Sequence, residues 1–199
     1  MSNLAPDCAA TIEFESGTLL LRALTRADAD LYCGLYTDAA TMHFIGAPLS
    51  RPRALQTFGT ALRQTLGRPV KRLFLAILAR TSRQAIGICS IELHGSEAEI
   101  GVILCTGSRA QGYGTEGTIA CVTLAFAILP VDAVWLRTSA EHHVAERLAM
   151  GLGFSRGAEG GDRGTSDGRR AWSIDRHAWD HAQRTLPVSK HLHGPHRST

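Results

Sequence analysis

The chain has 199 residues, 44% of them hydrophobic and 20% charged, which suits one domain with its own core and excludes wholesale disorder. The longest nearly apolar run, Ile119 to Leu129, falls well short of the ~20 residues a membrane-spanning helix needs. The formal charge of +3 is carried almost wholly by arginines spread along the chain, which disfavours nucleic acid as a dedicated partner. Near the start no basic flank, apolar stretch and cleavage site follow one another, so no secretory signal is evident and a cytoplasmic location is expected. Five cysteines (Cys8, Cys33, Cys89, Cys105 and Cys121), never spaced C-x-x-C, are expected as reduced thiols without a zinc site.

Residues 1–10 lack periodicity and are expected to be loose; residues 11–184 read as one domain and 185–199 as a flexible tail carrying His191, His193 and His196. Thr18 to Leu24 is β-like. Thr25 then caps a helix over Ala27 to Tyr36, with Asp28 placed where a first turn favours an acid. Gly46, Pro48 and Pro52 break the pattern before a second helix, Pro52 to Leu66, with Leu55, Phe58, Leu62 and Leu66 along one face. Strands follow at Arg72 to Ala79, Gln84 to Leu93 and Ala98 to Cys105, joined by polar turns. A loop, Thr106 to Gln111, leads to a helix from Tyr113 to Leu129, stopped at Pro130. Then come a strand at Ala133 to Ser139, a helix at His142 to Gly151, and a strand opening at Gly153-Phe154. Its partner is Arg170 to Asp175, across a glycine-rich loop from Gly157 to Gly168 that is expected to be mobile, and a short helix runs from Arg176 to Gln183. Hairpins mixed with two crossover helices predict an α/β fold, a mixed sheet with helices on both faces.

The strongest local signal is Arg109-Ala-Gln-Gly112-Tyr-Gly114-Thr-Glu-Gly117, set between a strand and a long helix. Glycines let the chain turn without a Cβ, and the unpaired amides at the helix start, with the positive end of its dipole, suit a phosphate or pyrophosphate. Gly112, Gly114 and Gly117 also match the dinucleotide spacing G-x-G-x-x-G. A polar loop of six residues separates the first glycine from its strand, however, and Asp132 precedes the next strand instead of ending it, so a nicotinamide site is rejected.

Arg109-x-x-Gly112-x-Gly114 resembles the pyrophosphate loop of the GNAT superfamily of acyl-CoA-dependent N-acetyltransferases. The preceding AEIGVIL strand and Leu152-Gly153-Phe154 extend the likeness from about Thr11 to Asp180. GYGTEG, AEIG and the opening LLLRALTRADAD look most like the branch that includes the ribosomal-protein N-terminal acetyltransferases. The resemblance implies a central, mostly antiparallel sheet whose splayed parallel strand pair, Ala98 to Cys105 and Ala133 to Ser139, receives acetyl-CoA. It further implies pantetheine along the main chain of Ile103, Leu104 and Cys105, with pyrophosphate on the amides of Arg109, Ala110, Gln111, Gly112, Tyr113, Gly114 and Thr115.

The implied reaction moves an acetyl group directly to a primary amine: a protein or peptide N-terminus, a side chain or a small amine. A base must take a proton from the amine, and a backbone amide near Ile103 would meet the developing oxyanion. Glu99, an acid in an otherwise apolar strand, is the candidate base; an ion pair with an arginine is the competing role, and Glu92 and His94 are the reserves. Two positions depart from the family. His142 stands where Asn often contacts the cofactor, with Ala145 three residues on, and the frequent acid Tyr would fall near Ala149. His142 or His143 is left to protonate the thiolate, or water does so. These departures keep open a noncatalytic acyl-CoA-binding module on the same fold.

His177 and His181 are read as a solvated face and not a metal site, the three tryptophans as packing residues, and Cys105 as packing and not a nucleophile. The acceptor would sit between the Thr37 to Pro52 connection, with Met42, His43 and Phe44, and the Gly157 to Gly168 loop, with Glu159, Asp162, Arg163, Asp167, Arg169 and Arg170. No membrane or nucleic-acid partner is expected, and a homodimer is a possible assembly.

Overall fold

The computed structural model describes residues 12–67, 69–157 and 168–185. The expectations for the loose start, the histidine tail, Cys8 and the acidic and basic residues 158–167 lie outside the described residues. In chain order the elements are β1 (Glu13–Ser16), β2 (Leu19–Ala23), α1 (Ala29–Thr37), α2 (Ala39–Met42), α3 (Arg51–Leu66), β3 (Arg72–Ala79), β4 (Ala85–His94) and β5 (Glu97–Leu104). They continue with α4 (Tyr113–Ile128), β6 (Ala133–Ser139), α5 (His143–Gly151), β7 (Ser155–Arg156), β8 (Arg169–Asp175) and α6 (Arg176–Thr185). One eight-stranded sheet, ordered β1-β2-β3-β4-β5-β6-β8-β7, is antiparallel throughout except for the parallel pair β5–β6. The mixed α/β fold expected from the sequence is the fold observed.

Two elements escaped the sequence. β1 is a four-residue strand turned back onto β2 through Gly17 at φ +52°, where a Cβ would lie 2.5 Å from Glu116 Oε1. α2 is a single helical turn in what reads as a loop, started by Asp38, whose carboxylate accepts from the Thr41 amide (2.9 Å). The start of the first helix is tighter than expected: Arg26–Asp28 form a 3-10 turn before α1. Asp28 there accepts from the Thr25 amide (2.7 Å) and hydroxyl (2.9 Å) and pairs with Arg22 through both carboxylate oxygens (2.8 Å each).

The sheet alternation divides the core into two layers. Leu19, Leu21, Leu75, Ile77, Ile91 and Ile100 pack under α4, α5 and α6, where Ile119, Leu124, Leu152 and Trp179 are buried. Leu20, Phe74, Ala76, Leu78 and Ile88 pack under α1 and α3 against Tyr32, Leu35, Phe58 and Ala61. α4 is buried over most of its surface, and each large side chain it removes from water contributes roughly 1.5–3 kcal/mol. Gly117 permits its close approach, since a Cβ there would already touch Ile77 and Val102 at 3.6 Å.

Candidate active site

β5 and β6 pair over three rungs only, Glu97 with Ala133, Ala98 with Val134 and Glu99 with Trp135. Beyond Glu99 they share no pair, while β5 stays paired to β4 as far as Leu104. A gap therefore opens beside β5. The Cys105 amide donates to Ile86 of β4 (2.8 Å), and antiparallel alternation gives Ile103 the same direction. Val102 and Leu104 consequently turn their amides and carbonyls toward the gap. The Ile103 amide, expected to face the acyl group, thus points to β4, its neighbours on either side face the gap, and the Ile103 and Cys105 side chains pack on the α1/α3 layer.

The gap runs toward the start of α4. Ala110 (φ +60°) and Gly112 (φ +83°, the residue preceding the helix) are left-handed, and the first helical bond runs from the Glu116 amide to the Gly112 carbonyl (3.1 Å). The amides of Tyr113, Gly114 and Thr115 precede that bond and have no helical acceptor. Together with those of Ala110, Gln111 and Gly112 they form an exposed N–H concavity at a positive helix end, the donor chemistry a pyrophosphate requires. Nothing lies within 4 Å of a Cβ added at Gly112, so φ and not space is what demands glycine there. The loop is braced from below: the Thr106 hydroxyl donates to Asp38 (2.9 Å), and Arg109 donates to the Ala40 carbonyl (3.3 Å). Hydrogen bonds from Thr41 and Thr106 hold the Asp38 carboxyl below its ordinary value.

The start of α5 reaches the same place. Leu148 and Leu104 lie 3.8 and 4.0 Å from where a Gly114 Cβ would stand. His142 caps α5, its Nδ1 accepting from the Ala145 amide (3.2 Å), and its ring lies 4.2 Å from that of Phe44. Burial first, and then the nearby Arg109 and His43, push the imidazole pKa down. A capping Nδ1 must be unprotonated, so the proton of the neutral ring sits on Nε2. His143 instead lies beside Glu146 (3.4 Å), which Arg170 also engages, and Arg170 ties in the Ala140 carbonyl (3.3 Å). Ala149 is fully buried, so that position brings no polar group to the gap.

On the α1/α3 side of the sheet, Arg72, Glu92, Glu99 and Trp135 stand in one row across β3, β4, β5 and β6. Arg137, two residues past Trp135, donates from Nε to Glu99 Oε1 (2.9 Å), and its Nη2 lies 2.8 Å from the same oxygen. The other oxygen lies 3.7 Å from His94 Nε2, and Arg72 pairs with Glu92 (3.1 Å). Glu99 thus sits where the strands part, one oxygen committed to arginine and the other turned to histidine. Glu92, His94 and Glu99 bring three donor atoms within 4.8 Å of one another, but both carboxylates already have arginine partners.

Val102 and Arg137 stand at the gap without having been singled out by the sequence; for Val102 the signal was strand alternation, and for Arg137 none was local, whereas Phe44, expected in the acceptor wall, meets the His142 ring. His177 and His181 are exposed on α6 and join no group of three metal donors among the described residues. Trp135, Trp172 and Trp179 are buried, as expected of packing residues. Cys33, Cys89, Cys105 and Cys121 are free thiols, and burial pushes the Cys105 thiol up, away from a nucleophilic thiolate. Among the described residues no helix is long and apolar enough to cross a membrane.

The solved structures this chain resembles share its fold at low sequence identity. Spermidine N-acetyltransferase from Vibrio cholerae, in complex with CoA and spermine, is 17% identical with a TM-score of 0.69, over 81% of this chain and 98% of that one. An acetyltransferase from Agrobacterium tumefaciens is 19% identical with a TM-score of 0.71, over 88% and 99%. A GNAT-family acetyltransferase from Bacillus anthracis is 14% identical with a TM-score of 0.67, over 82% and 98%. No curated protein matches the sequence significantly. The family profile described as an acetyltransferase (GNAT) domain matches residues 18–155. That span exceeds half of the chain and contains the gap, the glycine loop and the capped start of α5, and the chain belongs to the GNAT acetyltransferase family, whose members use acetyl-CoA.

Proposed function

We propose that this protein is a cytoplasmic enzyme that moves the acetyl group of acetyl-CoA directly onto a primary amine. The observation that carries the reading is the β5–β6 gap: backbone amides of Val102 and Leu104 face into it, and the N–H concavity of residues 110–115 closes its end. Bound acetyl-CoA supplies a thioester, an acyl group on a good leaving thiolate. The amine nitrogen bonds to the acyl carbon, the carbon–sulfur bond breaks, and the nitrogen's surplus proton passes to Glu99 directly or through water. The Val102 amide, nearer to Glu99 along the strand than Leu104, offers an N–H to the carbonyl oxygen as it gains charge. The thiolate takes a proton from His142 Nε2 or from water. The Arg137 pair orients the Glu99 carboxylate and leaves Oε2 as the proton acceptor.

AEIG and GYGTEG favour the branch resembling ribosomal-protein N-terminal acetyltransferases, with a peptide N-terminus as acceptor. The spermine in the Vibrio cholerae complex brings polyamines into the same test. Thermal shift with acetyl-CoA should raise the melting temperature, and thiol release across a panel of N-terminal peptides, lysine peptides and polyamines should identify the acceptor. A chain that binds no acyl-CoA sinks the reading; one that binds acetyl-CoA but releases thiol with no amine is the noncatalytic module.

A further inference from the structure

Beside the ion-pair row, the α1/α3 face of the sheet carries a second row, Phe74 on β3, Ser90 on β4 and Gly101 on β5. A third row, Ala76, Ile88 and Ile103, flanks it on the other side. Rows two residues apart lie roughly 6.6 Å apart, so the middle row is one side chain wide. Phe74 is buried and fills its β3 end beneath the Arg72 guanidinium, 4.9 Å from the ring centroid. Ser90 and Gly101 are only half-buried, and no residue of β6 pairs with Gly101, because the strands have already parted. The result is a slot floored by Ser90 and Gly101, closed at Phe74 and open to the gap. Glu99 stands on one side of it and Ile103 on the other. The Ser90 hydroxyl donates to and accepts from nothing among the described residues, and a Cβ added at Gly101 would stand 3.2 Å from that oxygen.

Resting on the transfer reading above, we infer that Ser90 and Gly101 are positioning residues for the acceptor amine. Gly101 leaves the space in which the nitrogen lies between the Glu99 carboxylate and the Val102 amide. Ser90 Oγ accepts a hydrogen bond from one amine N–H and points the lone pair into the gap. Neither residue contributes to holding acetyl-CoA, whose backbone donors belong to Val102, Leu104 and residues 110–115.

The test is steady-state kinetics and acetyl-CoA titration calorimetry on Gly101→Ala, Ser90→Ala, Ser90→Thr and the double variant Gly101→Ala/Ser90→Ala, with the best amine of the panel. Gly101→Ala should lower kcat/KM for the amine about tenfold, chiefly through KM, with the acetyl-CoA Kd within about twofold of wild type. Ser90→Ala should cost about fivefold, the worth of one ordinary hydrogen bond, and Ser90→Thr should recover most of it. The double variant lacks the 3.2 Å contact. Its persisting defect supports the slot, whereas recovery to the level of Ser90→Ala overturns it by assigning the loss to a collision within the sheet. Variants whose amine KM and kcat equal those of wild type overturn the slot alone. A wild-type protein with no amine-dependent turnover removes the transfer reading itself, and this one with it.

Discussion

Along the β5–β6 gap the polar groups belong to the backbone, whereas on the α1/α3 face of the same strands they belong to side chains. The gap offers the amides of Val102, Leu104 and residues 110–115, set by strand direction and by two left-handed residues, Ala110 and Gly112. The α1/α3 face offers Arg72, Glu92, His94, Glu99 and Arg137, four of them already paired across strands. Backbone donors are hard to remove by substitution and indifferent to pH near neutrality; side-chain groups are the reverse. Damage to one region should therefore spare the other, and five variants at four positions test how separate they are.

The largest effect is expected from Glu99→Gln, which keeps the shape and the Arg137 contact but cannot take a proton. Amine-dependent kcat should fall about a hundredfold with acetyl-CoA affinity unchanged, measured by thiol release and calorimetry. Equal rates and pH profiles would return Glu99 to the role of an ion-pair partner. Gly112→Val attacks the other region alone. A β-branched residue at φ +83° is strained by roughly 1–2 kcal/mol, so acetyl-CoA should bind about tenfold more weakly while the amine KM holds. An acetyl-CoA Kd within twofold of wild type would break the link between the loop and the donor.

His142 joins the two regions, capping α5 beside the gap and packing its ring at a tilt against Phe44. Removing the cap in His142→Ala should cost about 1 kcal/mol of stability in urea unfolding. Burial lowers its folded pKa, so below the unfolded value of about 6.5 the unfolded chain binds a proton that the folded one resists. The stability it contributes is present above that value and is lost as the pH falls from there through the lowered folded value. His142→Asn should keep the cap and flatten this acid slope, and an unchanged slope would mean the ring is not held neutral. The smallest effect belongs to Arg109→Ala. Its guanidinium is exposed and already bonded to the Ala40 carbonyl, so acetyl-CoA affinity should drop about threefold at low salt and less at high salt.

The same division governs what could be read in advance. Gly112 and the strand-to-helix setting of the loop were legible because a left-handed residue before a helix is a local steric demand met within a few residues. Glu99 stood out as an acid in an apolar strand, and the α4 core followed from a nearly apolar run. β1 and α2 were missed because four residues carry too little periodicity to register. Arg137 was not legible because it meets Glu99 across a parallel pair separated by a whole crossover helix; Phe44 was named in the acceptor wall, but its contact with His142 was not, because it comes from a connection without pattern.

Local pattern alone marked most of the strands and helices, though not β1 and α2, and located the glycine loop whose resemblance pointed to the GNAT family and its acetyl-CoA donor. These are short-range properties, decided by side-chain sterics, apolar spacing and the φ angles that glycine permits. The assembled sheet, in contrast, sets the parting of β5 and β6 after Glu99 and turns the amide of Val102 and not Ile103 into the gap. It alone aligned Phe74, Ser90 and Gly101 into a slot. Register between strands far apart in the chain is chosen by the packing of two layers at once, and no single stretch of residues carries that information.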